Sequence, residues 1–241
     1  MPRFFVTTPP TDTAIIVGDD AAHISKSLRM RVGEPLTVCD EAGFDYACEI
    51  AELSPAQVTL RVIEKTATKS EPNVKVTLYQ GLPKSDKMEW IIQKAVELGV
   101  SEIVPVATAR SIVKLDVKDG QRKQARWQRI ADEAAGQSGR GKRPTVAAPL
   151  SMAQAEKRLA NERTLLFYEG GGQAVAALLG DAPEAVSIVI GPEGGFAPEE
   201  VERLCANGAV CATLGPRILR CETAPLAALT MIMAYTGNMD S

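Results

Sequence analysis

From residue 74 onward, short apolar runs alternate with segments of helical periodicity, and that rhythm leaves few folds open. VKVTLYQG (74–81), SEIVPVAT (101–108), TLLFYEG (164–170), VSIVIGPEGG (186–195) and AVCATLG (209–215) read as strands. SDKMEWIIQKAVELG (85–99) reads as a helix, with Met88, Ile91, Ile92, Ala95 and Leu98 on one stripe. Asp86 and Glu89 predict a capping box at its start, and Gly99 suits its C-terminal turn. A basic helix is expected over about 120–138, and further helices near 173–180, 198–207 and 223–236. Near-continuous apolar strands separated by helices predict an α/β fold, a parallel sheet covered on both faces.

Residues 1–72 have a different rhythm. AIIVG (14–18), EPLTVCD (34–40), DYACEIAEL (45–53) and QVTLRVIEK (57–65) are close-spaced strands, which favours a small barrel or sandwich. DDAAHISKSLRM (19–30) reads as one short helix capped by Asp, with Ile24 and Leu28 on one face. KTATKSEPN (65–73) reads as a linker, so domains of 1–72 and 73–241 are expected, with the boundary near 70–74.

The net charge of −3 hides an uneven distribution. Residues 1–72 carry 7 Lys and Arg against 11 Asp and Glu, 73–143 carry 14 against 8, and 144–241 carry 6 against 11. A basic middle suits a local polyanion-binding face. The five cysteines are irregularly spaced and the only histidine is His23, so no metal site is expected and the cysteines read as packing residues. No run long enough to span a membrane and no secretory leader is read, which predicts a cytoplasmic protein without membrane partners.

Ligands of parallel sheets bind at the carboxyl ends of the strands. Three strands here run into Glu169-Gly-Gly-Gly172, Gly191-Pro-Glu-Gly-Gly-Phe196 and Leu214-Gly-Pro-Arg-Ile-Leu-Arg220. Bare main chain in such loops can approach a ligand closely, and Pro192 and Pro216 stiffen it. Gly136-Gln-Ser-Gly-Arg-Gly-Lys142 matches a phosphate-loop pattern, but Arg143 stands where the metal-binding hydroxyl belongs. That segment reads better as a flexible basic loop able to track a phosphate backbone.

The segments PRFFV (2–6), HISKSLRMRVGE (23–34), QGLPKSDKMEWIIQKAVELGVSEIVPV (80–106), RS (110–111), RWQRIADEAAGQSGR (126–140), IGPEGGF (190–196) and LGPRILRCETAPLAAL (214–229) resemble the RsmE family of 16S ribosomal RNA uridine-N3 methyltransferases, within the SPOUT superfamily. Cys221 departs from the pattern, where Thr is usual. The resemblance implies an N-terminal PUA-like β-barrel, a C-terminal SPOUT domain with a deep trefoil knot, and a homodimer. It implies S-adenosyl-L-methionine bound by Tyr168, Glu169, Gly191, Pro192, Glu193, Gly194, Leu214, Gly215, Ile218, Leu219, Arg220, Thr223 and Ala224. The substrate would be 16S ribosomal RNA or the small ribosomal subunit.

For methylation at N3, Arg220 is the candidate catalytic cation, the alternative being an ion pair with Glu222 or Glu193. Glu222 is a candidate general base or a cap of the last helix, and Glu193 a brace of its own loop. Arg3, Arg29, Arg31, Arg122, Lys123, Arg126 and Arg140 are candidate RNA contacts. His23 reads as a packing residue more readily than an RNA contact.

Overall fold

The computed structural model describes residues 1–180 and 183–240 and divides into two compact units, Met1–Glu71 with Ala135–Arg143, and Pro72–Ala134 with Pro144–Ser241. In chain order the strands of the first unit are β1 (Arg3–Phe5), β2 (Thr13–Val17), β3 (Pro35–Cys39), β4 (Phe44–Leu53) and β5 (Gln57–Ala67). They form one sheet in the order β1-β3-β4-β5-β2, antiparallel except for the parallel pair β1 and β3. Two register shifts between β4 and β5, at Ala47/Cys48 and Ile50/Glu52, bend the long strands, and the sheet curls around its core. Phe4, Ile16, Ile24, Leu36, Val38, Tyr46, Ile50, Val58 and Leu60 fill that core.

The segment 19–30 is not one α-helix capped by aspartate. Gly18, at φ 68°, is the cap residue and makes no side-chain cap bond; α1 (Asp19–Ala22) gives way to a π turn over His23–Ser27. Leu28 N–H reaches back five residues to the His23 carbonyl at 2.9 Å. The wider turn breaks the four-residue repeat, so Ile24 is fully buried while Leu28 is 40% exposed. His23 packs edge-on to Phe4, with ring centroids 6.4 Å apart.

The segment read as a linker begins in a strand and continues as irregular chain. β5 runs on to Ala67, with the Lys65 ammonium over the Phe44 ring at 3.9 Å. Glu71 then fastens the basic loop that follows the long helix. Its carboxylate accepts from Arg140 Nε at 3.1 Å and Nη2 at 2.6 Å, and from the backbone N–H of Gly141 at 2.9 Å and Lys142 at 3.2 Å. Arg143 donates to Glu41 through its backbone N–H, Nε and Nη2. The phosphate-loop look-alike thus closes on the chain's own carboxylates and is not a free basic loop.

The second unit contains β6 (Lys75–Gly81), α2 (Lys87–Glu97), β7 (Glu102–Ala107), α3 (Val117–Gln137), β8 (Thr145–Val146), β9 (Leu150–Ser151), α4 (Met152–Leu159), β10 (Thr164–Phe167), β11 (Gln173–Ala174), α5 (Val175–Leu179), β12 (Ala185–Ile190), α6 (Pro198–Ala206), β13 (Val210–Thr213) and α7 (Ala224–Tyr235). The last turn of α3 falls in the first unit. The strands form an eight-stranded parallel sheet in the order β11-β13-β10-β12-β6-β7-β8, with β9 on β7. Leu78, Tyr79, Ile103, Leu165, Leu166 and Ile188 are buried in it, as expected of strands covered on both faces.

On α2 the stripe holds, with Met88, Ile91, Ile92 and Ala95 buried. The helix stops at Gly99, at φ 94°, whose N–H bonds Val96 O at 3.0 Å while Val100 N–H bonds Ala95 O at 3.0 Å. The capping box is absent: Asp86 makes no side-chain cap bond, and Glu89 pairs with Arg126 at 2.8 Å. A true capping box starts α4, which the apolar pattern did not announce: Ser151 Oγ accepts from Gln154 N–H at 3.3 Å and Gln154 Oε1 accepts from Ser151 N–H at 2.8 Å. The apolar α7 packs against α2, α5, β6 and β12.

Glu71→Ala would leave a buried guanidinium and two backbone donors without this acceptor. We expect a loss of about 3 kcal/mol of unfolding free energy, measured by urea denaturation, with Lys69→Ala on the same segment as the near-neutral control.

Candidate functional site

Strands β13, β10 and β12 are neighbours, so their carboxyl ends deliver the three glycine loops to one place. Together with Lys87 they line a cavity of about 510 Å³. Residues 191–195 and 215–220 share that lining. Two glycines are required there for steric reasons. A Cβ on Gly81, at the end of β6, would lie 2.5 Å from Pro192 Cδ, so β6 supports the Gly-Pro turn backbone to ring. Gly215 sits at φ 97°, a left-handed conformation that leaves its main chain open to the cavity. Gln80, fully buried, donates from Nε2 to the Gly191 carbonyl at 3.3 Å.

The electrostatic centre is Lys87, from the first turn of α2. Its ammonium lies 3.1 Å from Glu193 Oε1 and 3.0 Å from Glu222 Oε2, joining the 190–196 and 214–224 loops to α2. Glu193 also accepts from the Lys84 backbone N–H at 3.2 Å. Burial works to raise both carboxyls, yet the result is below the ordinary carboxylate range. For Glu193 its own backbone N–H, Lys87 and Lys84 outweigh burial; for Glu222 Lys87, Cys221 and its own backbone N–H do so. The Lys87 ammonium is raised in turn by Glu222 and then Glu193. Cys221, buried and donating its S–H to Glu222 at 3.2 Å, is pushed up to about 12 chiefly by burial.

A second brace fixes the outer rim. Arg110 Nη1 donates to the Gly194 carbonyl at 3.0 Å. The loop carrying it is anchored by Glu200, only 3% exposed, which accepts from Ala109 N–H at 2.8 Å and Ala197 N–H at 2.9 Å.

Of the residues expected at the site, Tyr168, Glu169, Gly191, Pro192, Glu193, Gly194, Leu214, Gly215, Ile218, Leu219, Arg220, Glu222 and Ala224 line the cavity. Thr223 is not among the lining residues; it is the residue before α7, and its N–H bonds the Arg220 carbonyl at 2.8 Å. Glu222 turns to Lys87 instead of capping α7. Among the described residues no ion pair engages Arg220, which lines the cavity and is exposed. Ile190 and Phe196 of the expected 190–196 loop line the cavity as well, as do Phe167, Thr213 and Lys87, which were not singled out from the sequence. Lys87 carried only the signal of a cation in a helix's first turn, where the helix dipole disfavours it.

The basic residues expected to meet RNA divide sharply. Arg3 is drawn inward to Asp45 at 2.9 Å and Cys39 Sγ at 3.0 Å, and Arg140 is 4% exposed on Glu71. Both guanidiniums hold the first unit together. Arg29 and Arg31 are exposed in that unit. In the second, Arg122 pairs with Asp119, Lys123 lies over Trp127 at 5.7 Å, and Arg126 takes Glu89.

Known proteins resemble this chain in sequence and fold. A family model described as an RNA methyltransferase domain matches residues 69–233, and one described as an RNA methyltransferase PUA domain matches 16–63. Over 232 residues the chain is 42% identical to the ribosomal RNA small subunit methyltransferase E of Bacillus subtilis, covering 93% of this chain and 91% of the relative. A methyltransferase of Legionella pneumophila, solved with the bound cofactor SAM, is 31% identical with a TM-score of 0.87 over 96% of each chain. A ribosomal RNA small subunit methyltransferase E of Neisseria gonorrhoeae bound to S-adenosyl methionine is 29% identical, with a TM-score of 0.87 over 97% of each chain.

In Lys87→Met the two carboxylates lose their shared cation. Carboxyl-carbon NMR titration is expected to show Glu193 and Glu222 titrating at higher pH than in the parent protein; unchanged titration would mean that Lys87 does not hold them.

Proposed function

This chain belongs to the ribosomal RNA small subunit methyltransferase E family, and we propose that it methylates N3 of a uridine in 16S ribosomal RNA with S-adenosyl-L-methionine as donor. The observation that carries this reading is the convergence of three glycine-bearing strand ends on one cavity; that similar proteins are solved with that cofactor supports it. The residues present fit the group. Phe167, Ile190, Phe196, Leu214, Ile218 and Leu219 offer apolar surface, Gly191, Gly194 and Gly215 bare main chain, and Glu169, Glu193 and Glu222 negative charge beside a cation. When bound, S-adenosyl-L-methionine supplies an electrophilic methyl group on its sulfonium.

The chain's own task is to hold a uracil with N3 toward that methyl and to favour loss of the N3 proton. Carboxyls held below their ordinary range are weak bases, so Glu222 and Glu193 serve here as anchors of the loops, through Lys87. Arg220, on the cavity and free of carboxylates, supplies the cation for the developing N3 anion. The uridine is unpaired or flipped out, since a base pair buries N3. Arg29 and Arg31 on the PUA-like unit and Arg122 and Lys123 on α3 hold the surrounding RNA.

The wider architecture belongs to the same proposal. Residues 1–72 form a PUA-like barrel, and 73–241 a SPOUT domain with a deep trefoil knot. Two copies form a homodimer, which the apolar α7 with its exposed Tyr235 supports. The protein works in the cytoplasm on 16S RNA or the small subunit. Among the described residues no helix is long and apolar enough to cross a membrane, and no group of three His, Cys, Asp or Glu residues could hold a metal.

A radiolabelled-methyl assay on unmodified 16S RNA and on small subunits, with the label mapped by mass spectrometry, tests this. Label confined to N3 of one uridine is expected; label elsewhere or none overturns the reading. Arg220→Ala is expected to lower kcat about a hundredfold while cofactor affinity, measured by calorimetry, changes little. Gly215→Trp should abolish cofactor binding in the same calorimeter.

The lowered carboxyls also set a pH dependence. Their contribution to holding the loops is complete above their unfolded values and is lost as pH falls through the lower folded ones. Cofactor affinity is therefore expected to stay flat from pH 8 down to about 5, and loss already near pH 6 would contradict this account of the Lys87 clamp.

A further inference from the structure

Five cysteines are free, and two of them face each other. Cys205, in the last turn of α6, and Cys211, on β13, have sulfurs 3.6 Å apart across the Gly208 turn. Cys205 is exposed and Cys211 half-buried. Cys39, Cys48 and Cys221 differ from this pair: each is buried. Cys211 packs on the same core cluster as Tyr168, which lines the cavity, and it immediately precedes Ala212 and Thr213, which line it too. The Tyr168 ring lies directly on Gly170, where a Cβ would come within 2.2 Å of it. The thiol pair is therefore one residue away from the pocket.

We propose that Cys205 and Cys211 form a thiol-oxidation site, which low-molecular-weight disulfides convert to an intrachain disulfide that ties α6 to β13 beside the cavity. The exposed Cys205, as thiolate, attacks one sulfur of the small disulfide and expels one thiolate. Cys211 then attacks the Cys205 sulfur of the mixed disulfide and expels the second. Two protein thiols lose two electrons and two protons, and the small disulfide leaves as two thiols. Exposure sets the order: Cys205 meets the small disulfide first, and the half-buried Cys211 resolves it. The effect on the pocket rests on the methyl-donor reading above; the thiol chemistry does not.

Both cysteines lie on one tryptic peptide, residues 204–217. After exposure of the reduced protein to excess oxidised glutathione, that peptide is expected to be two hydrogens lighter and closed to iodoacetamide. Cys205→Ser is expected to show no such loss of hydrogen. Calorimetry with S-adenosyl-L-methionine is expected to show affinity falling roughly fivefold on oxidation, restored by dithiothreitol and unchanged in Cys205→Ser. A peptide that keeps two alkylatable thiols overturns the site. A disulfide that forms without changing the affinity overturns the coupling to the cavity. A reduced protein that binds no S-adenosyl-L-methionine overturns the methyl-donor reading alone, because the peptide mass still decides the thiol chemistry.

Discussion

One ammonium group between two carboxylates organises the site. Lys87 joins Glu193 and Glu222, so the start of α2, the loop after β12 and the segment leading into α7 meet at a single point. Surface ion pairs contribute little because water competes for both partners. This one is partly shielded and shared, and Lys84 N–H and the Cys221 thiol add further donors to the same carboxylates. Its consequence is geometric before it is energetic. Among the described residues no other side-chain hydrogen bond or ion pair joins the two glycine-rich loops.

The sheet supplies the rest of that geometry. Because β12 lies between β10 and β6, and β13 lies beside β10, loops distant in sequence leave from adjacent positions. Close packing of Gly81 on Pro192 and the Glu200 anchor on the Arg110 loop hold the rim from the outside. A pocket built this way presents main chain to its ligand, which suits a cofactor with both an apolar ring and charged groups.

Charge was a poor guide until partners were known. The basic stretch ending at Arg143 suggested a phosphate-tracking loop, but Arg140 and Arg143 are directed to Glu71 and Glu41. Acidic residues of the first unit neutralise basic residues that follow them by many positions in the chain, and no local pattern encodes that pairing. The cysteines taught the same lesson: all five read as packing residues, yet only Cys39, Cys48 and Cys221 are buried.

The amino-acid order alone determined the alternation of strands and helices, the apolar stripe of α2, the glycine stop at Gly99 and the three loops that carry the site. These are properties of short stretches of chain, set by side-chain periodicity and backbone freedom. Local signals failed where a tertiary partner competed for the same group: Glu89 left its capping box for Arg126, and the helix at 19–30 widened into a π turn that buries Ile24 without Leu28. Only the tertiary structure decided that Lys87 belongs to the site, that Arg220 stands clear of Glu193 and Glu222, and that Cys205 meets Cys211. An ion pair or a thiol contact depends on distances in space, and strand order sets those distances while leaving no periodic trace in the sequence.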